Sequence, residues 1–359
     1  MLKELEIKNF RKFNNLKLDN LKRVNLILGS NNSGKTSILE AIFTYCCGLN
    51  VEPIITNVAV RGEKDIYGSY DFVEKIISMF HNKNNLEFKV KGRDIYGNTN
   101  EFTNSVALGS IYNSMVSNNY NNVSINNNIN RVLEWDITDI YNNKITKIIE
   151  HNILDSLNNQ ILVPPNMNAN FNDILSHRNQ KENTSIYASL KRSSIFNEFK
   201  ENMKEVFGDI EDIDSIPYPD GSSAPVSIKY KNKDLLPLYN FGDGHQRWFN
   251  ILGNMMIKPN SIFCIEEIDS TFHYGAQRDL SKNIMKYSKK FNSQVFITSH
   301  SIEFVDNFLK EISELNDSSL LDEVNIITLK SNSKGETKAR ILDGKKAIET
   351  RINYGLELR

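Results

Sequence analysis

Apolar and polar positions set out the chain before any motif does. Residues 2–9, Leu-Lys-Glu-Leu-Glu-Ile-Lys-Asn, largely alternate, which predicts a strand with one buried face. Phe10-Arg11-Lys12-Phe13 turns the chain, and Leu16-Lys17-Leu18 reads as a short second strand. Val24–Leu28 is a continuous apolar run, the mark of a strand buried on both faces, and residues 38–49 carry helical spacing. From about residue 50 to 235 the pattern weakens. Asp71–Phe80 has helical spacing, Leu86–Val90 alternates, and Asn143–Leu157 and Ile195–Phe207 are helix candidates. Asn98–Asn130 is rich in Asn and Ser, which predicts long loops or poorly packed hairpins. Ile161-Leu162-Val163 reads as a buried strand that ends at Pro164-Pro165. No heptads are sustained, so no long coiled coil is expected.

The pattern sharpens again from Val226–Tyr230, a strand, with Leu235–Tyr239 leading into a glycine loop. Strands are predicted at Ser261–Ile265, Gln294–Thr298, Val324–Leu329 and Ala339–Leu342. Helices are predicted at Gln246–Met256, Gly275–Ser288, Ser301–Ile312 and Lys345–Ile352. Strands alternating with helices imply an α/β fold whose sheet is mixed but mostly parallel.

Between the third strand and the first helix lies Gly29-Ser30-Asn31-Asn32-Ser33-Gly34-Lys35-Thr36, followed by Ser37. Strand, glycine-bounded loop and helix is the context that a G-x-x-x-x-G-K-[ST] phosphate loop requires. Gly29 and Gly34 permit torsions that a β-carbon blocks, so loop amides turn inward around an anion. The helix starting near Lys35 adds the positive end of its dipole. Lys35 is then placed for β- and γ-phosphates, and the Thr36 hydroxyl for Mg2+.

One or two strands ahead of the phosphate-loop strand are not how a simple doubly wound nucleotide fold begins. Ile7-Lys8-Asn9-Phe10-Arg11-Lys12-Phe13 followed by Gly29–Thr36 resembles the RecF, SMC and OLD branch of the ATP-binding cassette (ABC) ATPases. That resemblance implies an ABC-type P-loop fold with an N-terminal antiparallel β-subdomain and an inserted helical and β lobe. It places the ATPase core at residues 1–50 and 225–359 and the insertion at 51–224.

Three later segments match the same class in chain order. Phe241-Gly242-Asp243-Gly244-His245-Gln246-Arg247 resembles the signature loop that closes over a nucleotide held by a second subunit. Gly242 stands where the common form has Ser, and Asp243 where it has Gly; the G-D-G-x-Q-R form is similar to OLD-type ATPases. Backbone amides, with Arg247, would then contribute more; a plain turn with an N-cap looks the same in sequence. Ser261-Ile262-Phe263-Cys264-Ile265-Glu266-Glu267 puts acids at the end of a buried strand, where ligands sit in parallel sheets. Glu266 is expected in the Mg2+ shell and Glu267 beside the attacking water, although strands also end in merely solvated acids. Val295–Ser301 ends a further strand at His300, implied to contact the γ-phosphate; an isolated strand-end histidine is more often structural. Asp269-Ser270-Thr271-Phe272-His273 resembles the family's interface segment, with helix capping as the other reading. Gln160 is a weak candidate for the glutamine that joins the lobe to the metal.

Composition narrows the rest. The chain has 359 residues, 40% hydrophobic and 24% charged, with net charge -1, so a global basic field for nucleic acid is excluded. Cys46, Cys47 and Cys264 are too few for a disulfide framework and read as buried apolar residues. No signal peptide or spanning run is evident, so a cytoplasmic protein without a membrane partner is expected. His81, His151 and His177 are isolated, which gives no support for an HNH nuclease or zinc site. Asp322-Glu323 and Asp343 do not form the acidic constellation of the Toprim nuclease domain found in OLD nucleases. The resemblance thus implies an ATP- and Mg2+-dependent ATPase without its own nuclease, working as a head-to-tail homodimer or larger assembly. A separate effector such as a nuclease, within anti-phage defence, is the expected partner. A RecF-like DNA-repair clamp is the alternative, hinted at by Lys191-Arg192, and a nucleotide-gated scaffold is a third.

Overall fold

The computed structural model describes residues 1–59, 61, 70–108, 133–149, 164–216, 224–314, 318–332 and 336–353. Strands β1 (Leu2–Phe10), β2 (Phe13–Leu18) and β3 (Val24–Gly29) lead into helix α1 (Lys35–Cys47). Short helices α2 (Val51–Ile54) and α3 (Tyr70–Ile77) follow, then β4 (Glu87–Asp94), β5 (Thr99–Leu108), β6 (Leu133–Thr138) and β7 (Lys144–Ile149). These strands join β1 and β2 in an antiparallel sheet of order β2-β1-β4-β5-β6-β7. Next come β8 (Ala169–Asn172), α4 (Gln180–Arg192), α5 (Phe196–Phe207) and a small antiparallel sheet of β9 (Ile210–Asp214), β10 (Ser227–Tyr230) and β11 (Leu235–Pro237). The remainder is α6 (Asp243–Ile257), β12 (Ile262–Ile265), α7 (Tyr274–Lys290), β13 (Gln294–Thr298), α8 (Ile302–Glu314), β14 (Val324–Ser331), β15 (Thr337–Asp343) and α9 (Gly344–Ile348).

The central sheet has order β15-β14-β3-β13-β12-β8, parallel except for the β14–β15 hairpin at one edge. Its two faces fill different cores because successive side chains point opposite ways. Ile27, Cys264, Phe296 and Ile327 face α1 and the antiparallel sheet. Leu26, Phe263, Ile265, Val295, Ile297 and Ile326 face the layer of α4 to α8. Helix α1 is buried almost all round, which suits its place between two sheets. Trp248 of α6 is fully buried and donates its indole N–H to Asn202 Oδ1 at 3.0 Å, joining α6 to α5. Its loss to Ala would cost about 3–5 kcal/mol. Among the described residues, no helix is long and apolar enough to cross a membrane.

The patterned ends of the chain fold as the alternation predicts, and the differences lie in the middle. The helix expected at Asn143–Leu157 is not formed where it is described. Lys144–Ile149 is strand β7, paired with β6 across a turn in which Asp139 accepts the amides of Tyr141 and Asn143 at 2.8 and 2.9 Å. The β-branched residues of Lys-Ile-Thr-Lys-Ile-Ile favour that pleat over a helix. Of the stretch read as long loops or poorly packed hairpins, Thr99–Leu108 is a ten-residue strand paired antiparallel with β4 and β6; residues 109–132 lie outside the described set. Helix α6 begins three residues before the expected Gln246, at Asp243, so the Gly-Asp-Gly run is itself the helix start. The pattern also missed β8, β9 and α4. The stretch 51–224 supplies β4–β7 to one sheet and β8 to the other. Gln160 and Ile161–Val163 lie outside the described residues. Cys46, Cys47 and Cys264 are buried, as read from the sequence.

Candidate active site

Register brings the candidate residues to one edge. Ile265 of β12 pairs with Ile297 of β13, and Thr298 pairs with Ile27 of β3. The three neighbouring parallel strands therefore end together. The loops that leave them, Gly29–Thr36, Glu266–Glu267 and Ser299–Ser301, emerge side by side, the position where parallel sheets bind ligands. Strand order cannot be read from local pattern, but once β13 lies between β3 and β12 the convergence is forced.

The phosphate loop has the strained geometry its glycines permit. Gly34 caps α1 with φ 98°, and a β-carbon there would lie 2.7 Å from the Phe13 ring. Ser30, Asn31 and Asn32 are exposed, whereas Ser33 and Lys35 are buried. Lys35 Nζ donates to the carbonyls of Gly29 and Ser30 at 2.9 and 3.0 Å and lies 3.4 Å from His300 Nδ1. Ser33 Oγ is buried without a partner inside the loop. A buried hydroxyl without a partner is costly unless something else occupies the cradle, and an anionic oxygen fits it.

The acids and the histidine close the other side. Thr36 Oγ1 donates to Glu266 Oε1 at 2.5 Å. Two hard oxygen donors in contact are the donor set a magnesium ion takes. Glu267 N donates to Thr298 Oγ1 at 2.9 Å, and Glu267 holds φ 43°, a left-handed conformation that is costly outside glycine. Its carboxylate lies 3.1 Å from His300 Nε2, while His300 N donates to Asp269 Oδ1 at 3.3 Å. Asp269 and Ser270 thus hydrogen-bond to the segments that carry His300 and Glu267; Ser270 Oγ donates to Glu267 O at 2.9 Å. His273 precedes α7 as its N-cap residue without a side-chain cap bond.

Arg61 was not found by sequence reasoning, because it stands alone in a patternless stretch. It donates to Glu40 at 2.6 Å and to both Glu266 oxygens at 3.4 and 3.3 Å. Arg11, from the turn after β1, reaches the same Glu40 at 2.8 Å. A cation therefore already faces the Glu266 carboxylate. At the sheet edge, Glu266 N donates to Asn172 O of β8 at 2.9 Å.

The glycine-rich loop at Phe241–His245 has its own contacts. Arg178 Nη2 lies 2.8 Å from Asp243 Oδ2, and His177 Nε2 lies 3.3 Å from Oδ1. The His245 ring stacks on Phe207 at 3.9 Å and meets Tyr230 OH at 2.9 Å; the Phe241 ring lies 5.4 Å away. Its side chain thus packs within the chain. Arg247 is also turned inward: it donates to Ser270 Oγ at 2.8 Å and to Glu266 O, and is 1% exposed. Burial lowers its guanidinium to about 10, against the pull of Asp269, Glu266 and Glu267. Of the contribution expected from Arg247 beside the backbone amides, the structure shows an inward one: it braces the strand end that carries Glu266.

Comparison with known proteins bears on this arrangement. Residues 58–306 match the family model described as "AAA domain, putative AbiEii toxin, Type IV TA system". The chain belongs to this family. Residues 1–47 match a second model, "AAA ATPase domain". An ATP/GTP phosphatase of Helicobacter pylori is 24% identical over 343 residues, covering 85% of this chain and 87% of that protein. The Rad50 double-strand break repair ATPase of Archaeoglobus fulgidus is 46% identical over 61 residues, 17% of this chain and 7% of that protein. In fold, the chain is similar to an SMC head solved with the C-winged helix domain of ScpA. The TM-score is 0.52 at 15% identity, covering 96% of this chain and 99% of that one. It is an ABC-class ATPase with the SMC-head-like mixed α/β fold. ATP hydrolysis is the activity of its class.

Proposed function

We propose that this ABC-class ATPase is an ATP-gated switch that self-associates head to tail and controls a separate effector protein. The observation that carries the catalytic part is the meeting of Lys35, Thr36, Glu266, Glu267 and His300 at one sheet edge. Gly29–Ser37 cradle the triphosphate, with backbone amides and Lys35 opposing its charge. Thr36 and Glu266 are the residues that would hold magnesium, which when bound neutralises phosphate oxygens. Glu267 accepts a hydrogen bond from the attacking water and draws off its proton. His300, between Lys35 and Glu267, fixes the Glu267 carboxylate through Nε2 and stabilises the transferring phosphoryl group beside Lys35.

The signature-type loop supports the dimeric part. Its glycines and the start of α6 form an anion-accepting end, in a chain that already supplies one phosphate loop. A second copy's nucleotide is the ligand we assign to Gly242–Gly244, so that ATP joins two chains and hydrolysis releases them. The family's description, a putative toxin of a Type IV TA system, supports a role in a system of more than one protein. No nuclease is assigned to this chain.

Glu267→Gln is the decisive variant. It is expected to bind ATP, to lose at least about a hundredfold in hydrolysis, and to accumulate an ATP-dependent assembly on sedimentation. An unchanged hydrolysis rate would reject the role given to Glu267. For the effector, co-expression with the neighbouring open reading frame is expected to show toxicity that depends on Lys35.

A further inference from the structure

An acid is out of place at the head of α6. Asp243 is its first residue, on a helix end whose backbone N–H groups attract anions. A carboxylate there steadies its own helix but repels an incoming triphosphate. The structure supplies a counter-charge from a different part of the chain. A short turn, Ser176–Arg178, lies between β8 and α4. Arg178 pairs with Asp243 at 2.8 Å and His177 approaches the other carboxylate oxygen at 3.3 Å. The turn is fixed. The His177 side chain is 2% exposed, its carbonyl accepts from Asn183 Nδ2 at 2.8 Å, and Asn179 caps α4 through Glu182 N at 3.2 Å. Arg178, by contrast, is 59% exposed, so its guanidinium stands at the surface beside the loop. The hydrogen bond from Arg178, with the His177 contact, holds the Asp243 carboxyl below its usual range, so the acid stays charged and paired.

We propose that Arg178 and His177 are positioning residues, Arg178 neutralising Asp243 and His177 helping to orient it, so that the Gly242–Gly244 loop accepts the triphosphate bound by a second copy. The proposal rests on the self-association reading given above. It explains how a signature-type loop lacking the usual serine and carrying an acid remains a site for an anion. The exposed guanidinium replaces the missing hydroxyl as the polar group beside the glycines, and the buried histidine sets where it stands.

The test uses the full chain in the Glu267→Gln background, with ATP and magnesium, read by sedimentation velocity. Arg178→Ala is expected to weaken ATP-dependent assembly by about tenfold, the size of effect a charge at an interface rim carries. Adding Asp243→Asn to Arg178→Ala is expected to restore assembly to within about twofold, because the uncompensated acid is then gone. Arg178→Lys is expected to retain most of the assembly, and raising the salt to about 1 M to shrink the Arg178→Ala defect. ATP binding to the dilute chain, which uses the variant's own phosphate loop, is the second readout and stays within about twofold. Assembly of Arg178→Ala equal to its parent overturns the proposal, as does a defect that Asp243→Asn leaves untouched. If Glu267→Gln alone binds ATP yet does not assemble, the self-association reading falls and the proposal falls with it.

Discussion

Arg61 offers the sharpest physical test of where the metal goes. In the free chain it serves two carboxylates: Glu40, whose side chain is 2% exposed, and Glu266, at 7%. Removing one partner of a fully buried pair costs about 3–5 kcal/mol. The cost here is smaller, because the Arg61 side chain is 35% exposed, Glu40 keeps Arg11 at 2.8 Å, and Glu266 keeps Thr36 at 2.5 Å. We expect Arg61→Ala to destabilise the nucleotide-free protein by about 1–2 kcal/mol. At about 2.1 cal/mol/K per residue over 359 residues, the unfolding entropy is about 0.75 kcal/mol/K, so the melting temperature falls by about 1–3 °C. If Thr36 and Glu266 receive magnesium with the nucleotide, the ion replaces the charge that Arg61 supplied. The melting-temperature gap between wild type and variant then narrows with ATP and magnesium, and persists with ATP and EDTA. Calorimetry or dye-based melting under those three conditions checks it. A gap that is unchanged, or wider, with magnesium and ATP would refute the placement of the metal at Glu266.

Three further outcomes follow from the same geometry. Lys35→Ala removes a buried cation held by Gly29 and Ser30, and should weaken ATP binding at least about thirtyfold, measured by titration calorimetry. Gly34→Ala forces a β-carbon onto φ 98° and against Phe13; the protein should lose about 1–3 kcal/mol in urea unfolding. Burial holds the His245 imidazole, and likewise that of His177, below the ordinary value of 6.5. The unfolded chain therefore takes up protons first as pH falls, so this stability is complete above about 6.5 and is lost on acidification. Melting temperatures should drop between about pH 7 and 5.5, and His245→Phe, which keeps a ring on Phe207, should flatten that slope.

The chemistry-bearing segments were legible because each is a local pattern. Gly29–Thr36 needs a strand before it and a helix after it, and Val24–Leu28 and residues 38–49 announce both by periodicity alone. Glu266–Glu267 and His300 end apolar runs too short and too continuous to be anything but buried strands. The lobe was not legible in the same way. Leu133–Thr138 and Lys144–Ile149 become strands because they pair with one another and the first of them with β5, and that pairing lies outside any local window.

The sequence by itself determined the nucleotide loop, the acids, the histidine and the alternation of strand and helix, since side-chain spacing and glycine torsions are properties of neighbours along the chain. Only the tertiary structure decided that β3, β13 and β12 lie side by side. It also decided that Arg61 faces Glu266, that Arg247 turns inward, and that Arg178 stands against Asp243. Those contacts join residues tens to hundreds of positions apart. Strand order and burial select them, and a charged residue alone in an unpatterned stretch carries no mark of the partner it will meet.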